Sequence, residues 1–127
     1  MKQFVKILVA YDGSHMADQA LTEAIELAQQ FKGSITVLIV YWDETDNNVS
    51  ELHNRAETKL IETFIKYQII SEKSQNPPNR ILWHAENGGY DLITIGGRGM
   101  GSKKLWVIGS VSKKVIDESS CPVLVIK

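Results

Sequence analysis

The sequence predicts an α/β fold: a single doubly wound, mostly parallel sheet with helices on both faces. Two observations predict it. Apolar runs of strand length alternate with amphipathic helical segments four times, and a last apolar run closes the chain. Those runs are also nearly continuous in apolar residues rather than alternating with polar ones, which marks strands covered on both faces. With 127 residues, of which 43% are hydrophobic and 23% charged, the chain reads as one soluble globular domain over 1–127. No linker, internal repeat or low-complexity segment divides it.

The first strand is Phe4-Val5-Lys6-Ile7-Leu8-Val9-Ala10-Tyr11, β-branched and without helical period, and it ends at the turn Asp12-Gly13-Ser14. From His15 to Phe31 the apolar positions Ala17, Ala20, Leu21, Ala24, Leu27, Ala28 and Phe31 fall three and four apart, which predicts an amphipathic helix that stops at Gly33. Ser34–Trp42 is the second apolar strand, and Asp43–Asn48 a polar, acidic loop. A helix is predicted over Val49–Ile65, with Leu52, Ala56, Leu60 and Phe64 on one face, and a short strand over Tyr67-Gln68-Ile69-Ile70. Asn76-Pro77-Pro78-Asn79 predicts irregular chain until the prolines are past, and a short helix over Arg80–Glu86 that Asn87-Gly88-Gly89 ends. Asp91–Ile95 is the fourth strand and runs into Gly96; Ser110–Ser119 is the fourth helix and Pro122–Ile126 the last strand.

The longest apolar runs are far too short to cross a membrane, and the N-terminus lacks the apolar core and cleavage site of a signal peptide. A cytoplasmic location follows as the expectation. The single cysteine, Cys121, leaves no internal disulfide framework and fits a reducing compartment; beside Pro122 it reads as a small buried hydrophobe. No histidine spacing suggests a metal site: His15 reads as an exposed first-turn residue, and His53 and His84 have no partner nearby in sequence.

Charge is unevenly spread. Between Leu92 and Ile116 lie five cations (Arg98, Lys103, Lys104, Lys113, Lys114) and no Asp or Glu, while elsewhere nine cations stand against fifteen acidic residues. A basic patch on an otherwise acidic chain steers a small anion. It does not make a nucleic-acid-binding domain, which is usually basic throughout.

In open α/β sheets ligands bind beyond the carboxyl ends of the strands, where the winding reverses. Two loops carry residues suited to that place: Ala10-Tyr11-Asp12-Gly13-Ser14 after the first strand, and the stretch from Gly96 after the fourth. The second reads Gly96-Gly97-Arg98-Gly99-Met100-Gly101-Ser102 and reaches Gly109-Ser110, which open a helix. Glycines let the backbone approach an anion and adopt positive φ, and a helix N-terminus favours a phosphate. The Ser110 and Ser112 hydroxyls add donors. The loop is no Walker A sequence, and Gly97-Arg98-Gly99-Met100-Gly101 lacks the dinucleotide spacing Gly-x-Gly-x-x-Gly. The first loop lacks the Ser-Gly-Gly-x-Asp-Ser signature of ATP pyrophosphatases.

The spacing Gly96-x-x-Gly99, nine residues, Gly109-Ser110 resembles the Gly-2x-Gly-9x-Gly-Ser/Thr pattern of nucleotide-binding universal stress proteins. Ile7–Ser14 is similar to that family's opening strand and loop, Asp91–Gly96 to its fourth strand, and Ser120–Val125 to its close, so the likeness runs the length of the chain. The resemblance implies a five-stranded sheet of order 3-2-1-4-5, the adenine nucleotide alpha hydrolase-like arrangement. It implies ATP, or ADP or AMP, as ligand, with Asp12 near the ribose or a nucleotide-bound Mg. Val40 would offer its backbone to the adenine, Gly96 and Gly99 would line the ribose–phosphate side, and Gly109, Ser110 and Ser112 would hold the phosphates. Ala10, Tyr11, Ser14, Arg98, Met100 and Val111 complete the implied nucleotide-binding set.

A homodimer paired through the C-terminal strand is also implied, and the wholly apolar Val123–Ile126 needs such a cover as an edge. Two departures from the family pattern carry expectations of their own. The short segment around Asn76–Asn79 predicts an abbreviated third strand and helix, and Tyr41-Trp42 after Val40 predicts an altered or partly filled adenine pocket.

Other readings stand beside these. Asp12 is equally suited to capping the helix that follows, and Lys103 and Lys104 to a solvated face. Trp83 and Trp106 read as packing residues. Beyond Arg98 nothing nominates a general base or transition-state arginine, so at most slow ATP hydrolysis is expected. The leading reading is an ATP-binding regulatory or stress-response module. The alternative is a nucleotide-free homodimer that works through protein–protein contact, and a small-molecule enzyme comes a distant third.

Overall fold

The computed structural model describes residues 5–43, 48–98 and 109–127. Within them the order is β1 (Lys6–Ala10), α1 (His15–Phe31), β2 (Ser34–Tyr41), α2 (Asn48–Leu60), β3 (Lys66–Lys73), α3 (Pro77–Asn87), β4 (Leu92–Gly96), α4 (Ser110–Glu118) and β5 (Val123–Ile126). The strands form one parallel sheet of order β3-β2-β1-β4-β5, as the resemblance implied.

Alternate residues of the central strands feed two cores. Ile7 and Val9 of β1 pack with Ile35, Val37 and Ile39 of β2 beneath α1 and α2, through Leu21, Ala24, Ala56 and Leu60. Leu8 and Ala10 pack with Leu38, Ile93 and Ile95 beneath α3 and α4, through Ile81, Ala85 and Val115. A strand buried on both faces has no polar position to spare, which is why β1 and β2 read as continuous apolar runs. The first two crossovers step outward from β1 to β3, and the third returns across the sheet to β4. Crossovers of one hand then place α1 and α2 on one face and α3 and α4 on the other.

Several element ends differ from expectation, each for a local reason. At the end of α1 the left-handed residue is Lys32, with φ 53°, rather than Gly33. Gly33 is needed for space, because a Cβ there would lie 2.4 Å from the Val5 carbonyl oxygen. Helix α2 ends at Leu60, five positions short of Ile65. Thr63 donates its hydroxyl to the Leu60 carbonyl at 2.6 Å, and Phe64 turns the chain at φ 61°.

Strand β3 and helix α3 are not abbreviated. β3 pairs with β2 along its whole length, from Ser34↔Lys66 to Tyr41↔Lys73. As a sheet edge its burial alternates, so polar residues interrupt the apolar run that marks a central strand. The prolines do not delay α3; Pro77 and Pro78 fill its first two positions, where a backbone N–H has no intrahelical acceptor. Asn76 caps this helix by accepting the Asn79 N–H at 3.3 Å.

Phe64 combines a left-handed backbone with a side chain that is 99% exposed. It loses local energy in the turn and recovers little by burial. Phe64→Gly is expected to raise the unfolding free energy by about 0.5–1 kcal/mol, as measured by urea denaturation.

Candidate functional site

At the carboxyl ends of β1 and β4, on the face covered by α3 and α4, the molecule opens into a cleft of about 360 Å³. Its apolar part comes from the sheet residues Ala10, Leu38, Val40 and Ile95 and from Pro77 and Ile81 of α3. Its polar part comes from Asp12 and Ser14 after β1, Gly96 and Arg98 after β4, and Gly109, Ser110, Val111 and Ser112 at the start of α4. The structure therefore brings together the predicted set Ala10, Tyr11, Asp12, Ser14, Val40, Gly96, Arg98, Gly109, Ser110, Val111 and Ser112. Gly99, Met100, Lys103, Lys104 and Trp106 lie outside the described residues. Tyr41 and Trp42 are not among the lining residues, and Trp42 is largely exposed, so the expected filling of the pocket by this pair is not seen.

The loop after β1 is built as a turn within a cap. Asp12 accepts the Ser14 N–H at 2.9 Å, Gly13 takes φ 80°, and Ser14 accepts the Ala17 N–H at 3.1 Å. Ser14, not Asp12, is thus the N-cap of α1. Tyr11 borders the cleft but buries its ring in the core under α1 and α2 and donates its hydroxyl to Asp18. Burial first, and then that hydrogen bond, pushes the phenol well above its ordinary value, so it stays protonated.

The described glycines at the end of β4, Gly96 and Gly97, work by closeness rather than by positive φ. Among described glycines only Gly13 and Gly89 have positive φ. A Cβ on Gly96 would meet the Met16 Cβ at 2.7 Å, so Gly96 lets the first turn of α1 settle on β4. The glycine loop closes at its base, where the Gly109 N–H donates to the Gly97 carbonyl at 2.7 Å.

Helix α4 opens into the cleft with Gly109 as an N-cap that has no side chain to offer. The first intrahelical bond is Lys113 N–H to Gly109 carbonyl at 2.9 Å, so the amides of Ser110, Val111 and Ser112 precede the helical ladder. The Ser112 hydroxyl donates to the Gly96 carbonyl at 2.6 Å and straps α4 to β4. The basic stretch is less concentrated than its sequence suggests. Lys113 and Lys114 pair with Asp117 and Glu118 one turn along α4, and among the described cations Arg98 lines the cleft.

Sequence reasoning missed the α3 wall. The prolines read as irregular chain, which hid the first turn of the helix and Pro77 with it, while Ile81 fell in the helix expected over 80–86 but was given no place in the cleft. The wall is anchored at Glu72, whose register partner Val40 lines the cleft. Its carboxylate accepts Arg80 Nε at 2.7 Å and lies 2.7 Å from His84 Nε2, so His84 has a partner after all. The Arg80 guanidinium in turn stacks 4.6 Å from the centre of the Trp83 ring, which is half exposed. Cys121 is also only partly buried, beside the Ser119 hydroxyl.

The sequence profile of the universal stress protein family matches residues 3–127. The chain belongs to the universal stress protein family. It is 33% identical to the universal stress protein YxiE of Bacillus subtilis, over 98% of this chain and 99% of the relative. The structure of the universal stress protein UspA from Lactobacillus plantarum superposes with a TM-score of 0.76 at 27% identity, covering 100% of both chains. That of an Archaeoglobus fulgidus universal stress protein in complex with dAMP superposes with a TM-score of 0.79 at 23% identity, over 99% of this chain and 100% of the other. In this universal stress protein the cleft sits where the fold reverses its winding, and α3 supplies one of its walls.

The Arg80 hydrogen bond, with His84 beside it, holds the Glu72 carboxyl below its ordinary value. A carboxylate with a depressed folded-state pKa contributes stability above its unfolded pKa and loses it as pH falls through the folded one. Glu72→Gln is therefore expected to lower the melting temperature at pH 7, with the gap from the unchanged protein closing below the ordinary glutamate pKa of about 4.3. Thermal melts across pH 3 to 7 measure this.

Proposed function

We propose that this universal stress protein binds an adenine nucleotide in the cleft and acts as a nucleotide-dependent regulatory module in stress response. The observation that carries the reading is the juxtaposition of an apolar slot with the uncapped first turn of α4. A flat apolar base suits the slot between the sheet residues Leu38 and Val40 and the α3 residues Pro77 and Ile81, with the backbone of Val40 within reach of its polar edge. A phosphate suits the amides of Ser110, Val111 and Ser112, where three N–H groups and the helix dipole converge. Hydrogen bonds from such amides to a charged acceptor contribute about 1.5–3 kcal/mol each, more than the exposed lysines supply by proximity.

ATP is the preferred ligand on the Gly96-x-x-Gly99, nine residues, Gly109-Ser110 spacing, and ADP or AMP share the same contacts. The dAMP of the Archaeoglobus fulgidus protein supports an adenine nucleotide of some kind. Asp12 lines the cleft, and we assign its carboxylate to the ribose or to a Mg ion carried by the nucleotide. Among the cleft's described residues no acid–base pair nominates itself for hydrolysis, which keeps the reading to binding with slow turnover at most.

The two sheet edges differ in a way that favours a homodimer. β3 carries Lys66, Gln68, Glu72 and Lys73, whereas β5 is Val-Leu-Val-Ile and only half-buried throughout. A bare apolar edge invites a second strand, and another copy of β5 provides one. No described helix is long and apolar enough to cross a membrane. We place the protein's work in the cytoplasm, a compartment that suits the single cysteine, Cys121.

Calorimetric titration with AMP and with ATP tests the reading. The unchanged protein is expected to bind, and Gly109→Glu to lose binding by more than about a hundredfold, because its carboxylate meets the phosphate at the dipole's positive end. Gly109 has φ −68° and ψ 163°, a conformation open to any residue, and a thermal melt checks that the variant keeps its fold. Absence of binding heat in the unchanged protein, with no adenine nucleotide in its native mass spectrum, points to the nucleotide-free homodimer instead.

A further inference from the structure

The turn from Tyr11 to Ser14 has two sides. One presents Asp12 and Ser14 to the cleft. The other lies under α2, on the opposite face of the sheet. Leu52 fills the place where a Gly13 side chain would begin, its Cδ2 lying 2.3 Å from that Cβ position. Arg55, one turn further along α2, donates from Nη1 to the Gly13 carbonyl at 3.3 Å and from Nη2 to Asp18 Oδ2 at 2.5 Å.

The second oxygen of Asp18 accepts the Tyr11 hydroxyl, and the Arg55 guanidinium lies 6.0 Å from the centre of the Tyr11 ring. Lys59 adds a contact to Asp18 Oδ1 at 3.8 Å. The turn is thereby held at its start through Tyr11, at its middle through Gly13, and at the first turn of α1 through Asp18.

Stability alone does not account for this arrangement. Asp18, 22% exposed and shared by Arg55, Lys59 and Tyr11, adds to folding, but the Arg55 side chain is 39% exposed and its own share is modest. Geometry supplies the rest. Gly13 at φ 80° occupies one of several wells open to glycine, so the turn needs an outside hold to keep one shape. A planar guanidinium that reaches two acceptors at fixed angles supplies one, and a single ammonium does not.

We propose that Arg55 is a positioning residue for ligand binding: by bridging the Gly13 carbonyl and the Asp18 carboxylate, it fixes the cleft-facing side of the turn from outside the cleft. This rests on the nucleotide reading above and adds to it a residue on the far face of the sheet, out of contact with any ligand.

The test is a set of AMP affinities for the unchanged chain, Arg55→Ala, Arg55→Lys, Asp18→Asn and the Arg55→Ala/Asp18→Asn double variant, each with a thermal melt and amide exchange over 12–14. Arg55→Ala is expected to weaken AMP binding roughly tenfold, and the double variant to be no weaker, because both remove one shared unit. Arg55→Lys recovers only part of the loss. Exchange at Gly13 and Ser14 quickens, and the affinity falls by more than the change in melting temperature accounts for.

AMP affinities unchanged across the set overturn the proposal, as do losses that simply follow the melting temperatures. If Arg55→Ala folds poorly, the Arg55→Lys and Asp18→Asn affinities decide between the same outcomes. An unchanged chain that takes up ATP alone moves the same set of affinities to ATP. One that takes up neither AMP nor ATP overturns the nucleotide reading itself, and this proposal with it. That failure differs from the others because it appears before any substitution.

Discussion

Everything in this molecule depends on the reversal of winding between β1 and β4. The two strands are parallel neighbours in register from Ile7↔Leu92 to Ala10↔Ile95, yet the chain leaves them in opposite directions. After β1 it passes over one face to reach β2, and after β4 over the other to reach β5. The loops therefore part above the strand ends and leave a crevice that no crossover covers. A sheet wound one way throughout would have closed it.

The crevice becomes a site because its sides differ in kind. Pro77 and Ile81 of α3 face the apolar strand ends, and the open end of α4 faces the two loops. Close packing sets these distances more than flexibility does. Gly96 lets α1 sit against β4, Gly109 leaves α4 without a side-chain cap, and Ser112 straps that helix to the Gly96 carbonyl. On the far face, Leu52 and Arg55 of α2 press on the turn that carries Asp12. The site is thus held from both layers of helix, although it opens into only one.

Much of this was legible from residue pattern. Continuous apolar runs gave away β1, β2 and β4, because strands buried on two faces have no choice of residue. Gly96 and Gly109, the two ends of the glycine spacing, both line the cleft. What escaped were features whose signal is cancelled locally or supplied from a distance. β3 is an edge, so Lys66 at its start and Ser71, Glu72 and Lys73 at its end masked its length. Pro77 and Pro78, read as breakers, instead begin α3, and the wall they help to form was lost with them. The pairing of Glu72 with Arg80 and His84, and of Arg55 with Gly13, joins residues eight to 42 positions apart, which no periodicity records. The lysines misled in the other direction, since Lys113 and Lys114 are spent on Asp117 and Glu118.

The central claim is that an adenine nucleotide lies between the α3 wall and the sheet, with its phosphate on the first turn of α4. Amide chemical shifts of the labelled protein, followed while AMP is added, test it most directly. The account predicts saturable shifts concentrated at Gly109, Ser110, Val111 and Ser112, at Val40, and at Asp12 to Ser14, with Phe31 and the end of α2 unmoved. Shifts that are absent, or that gather on another surface and leave the α4 amides in place, would contradict it.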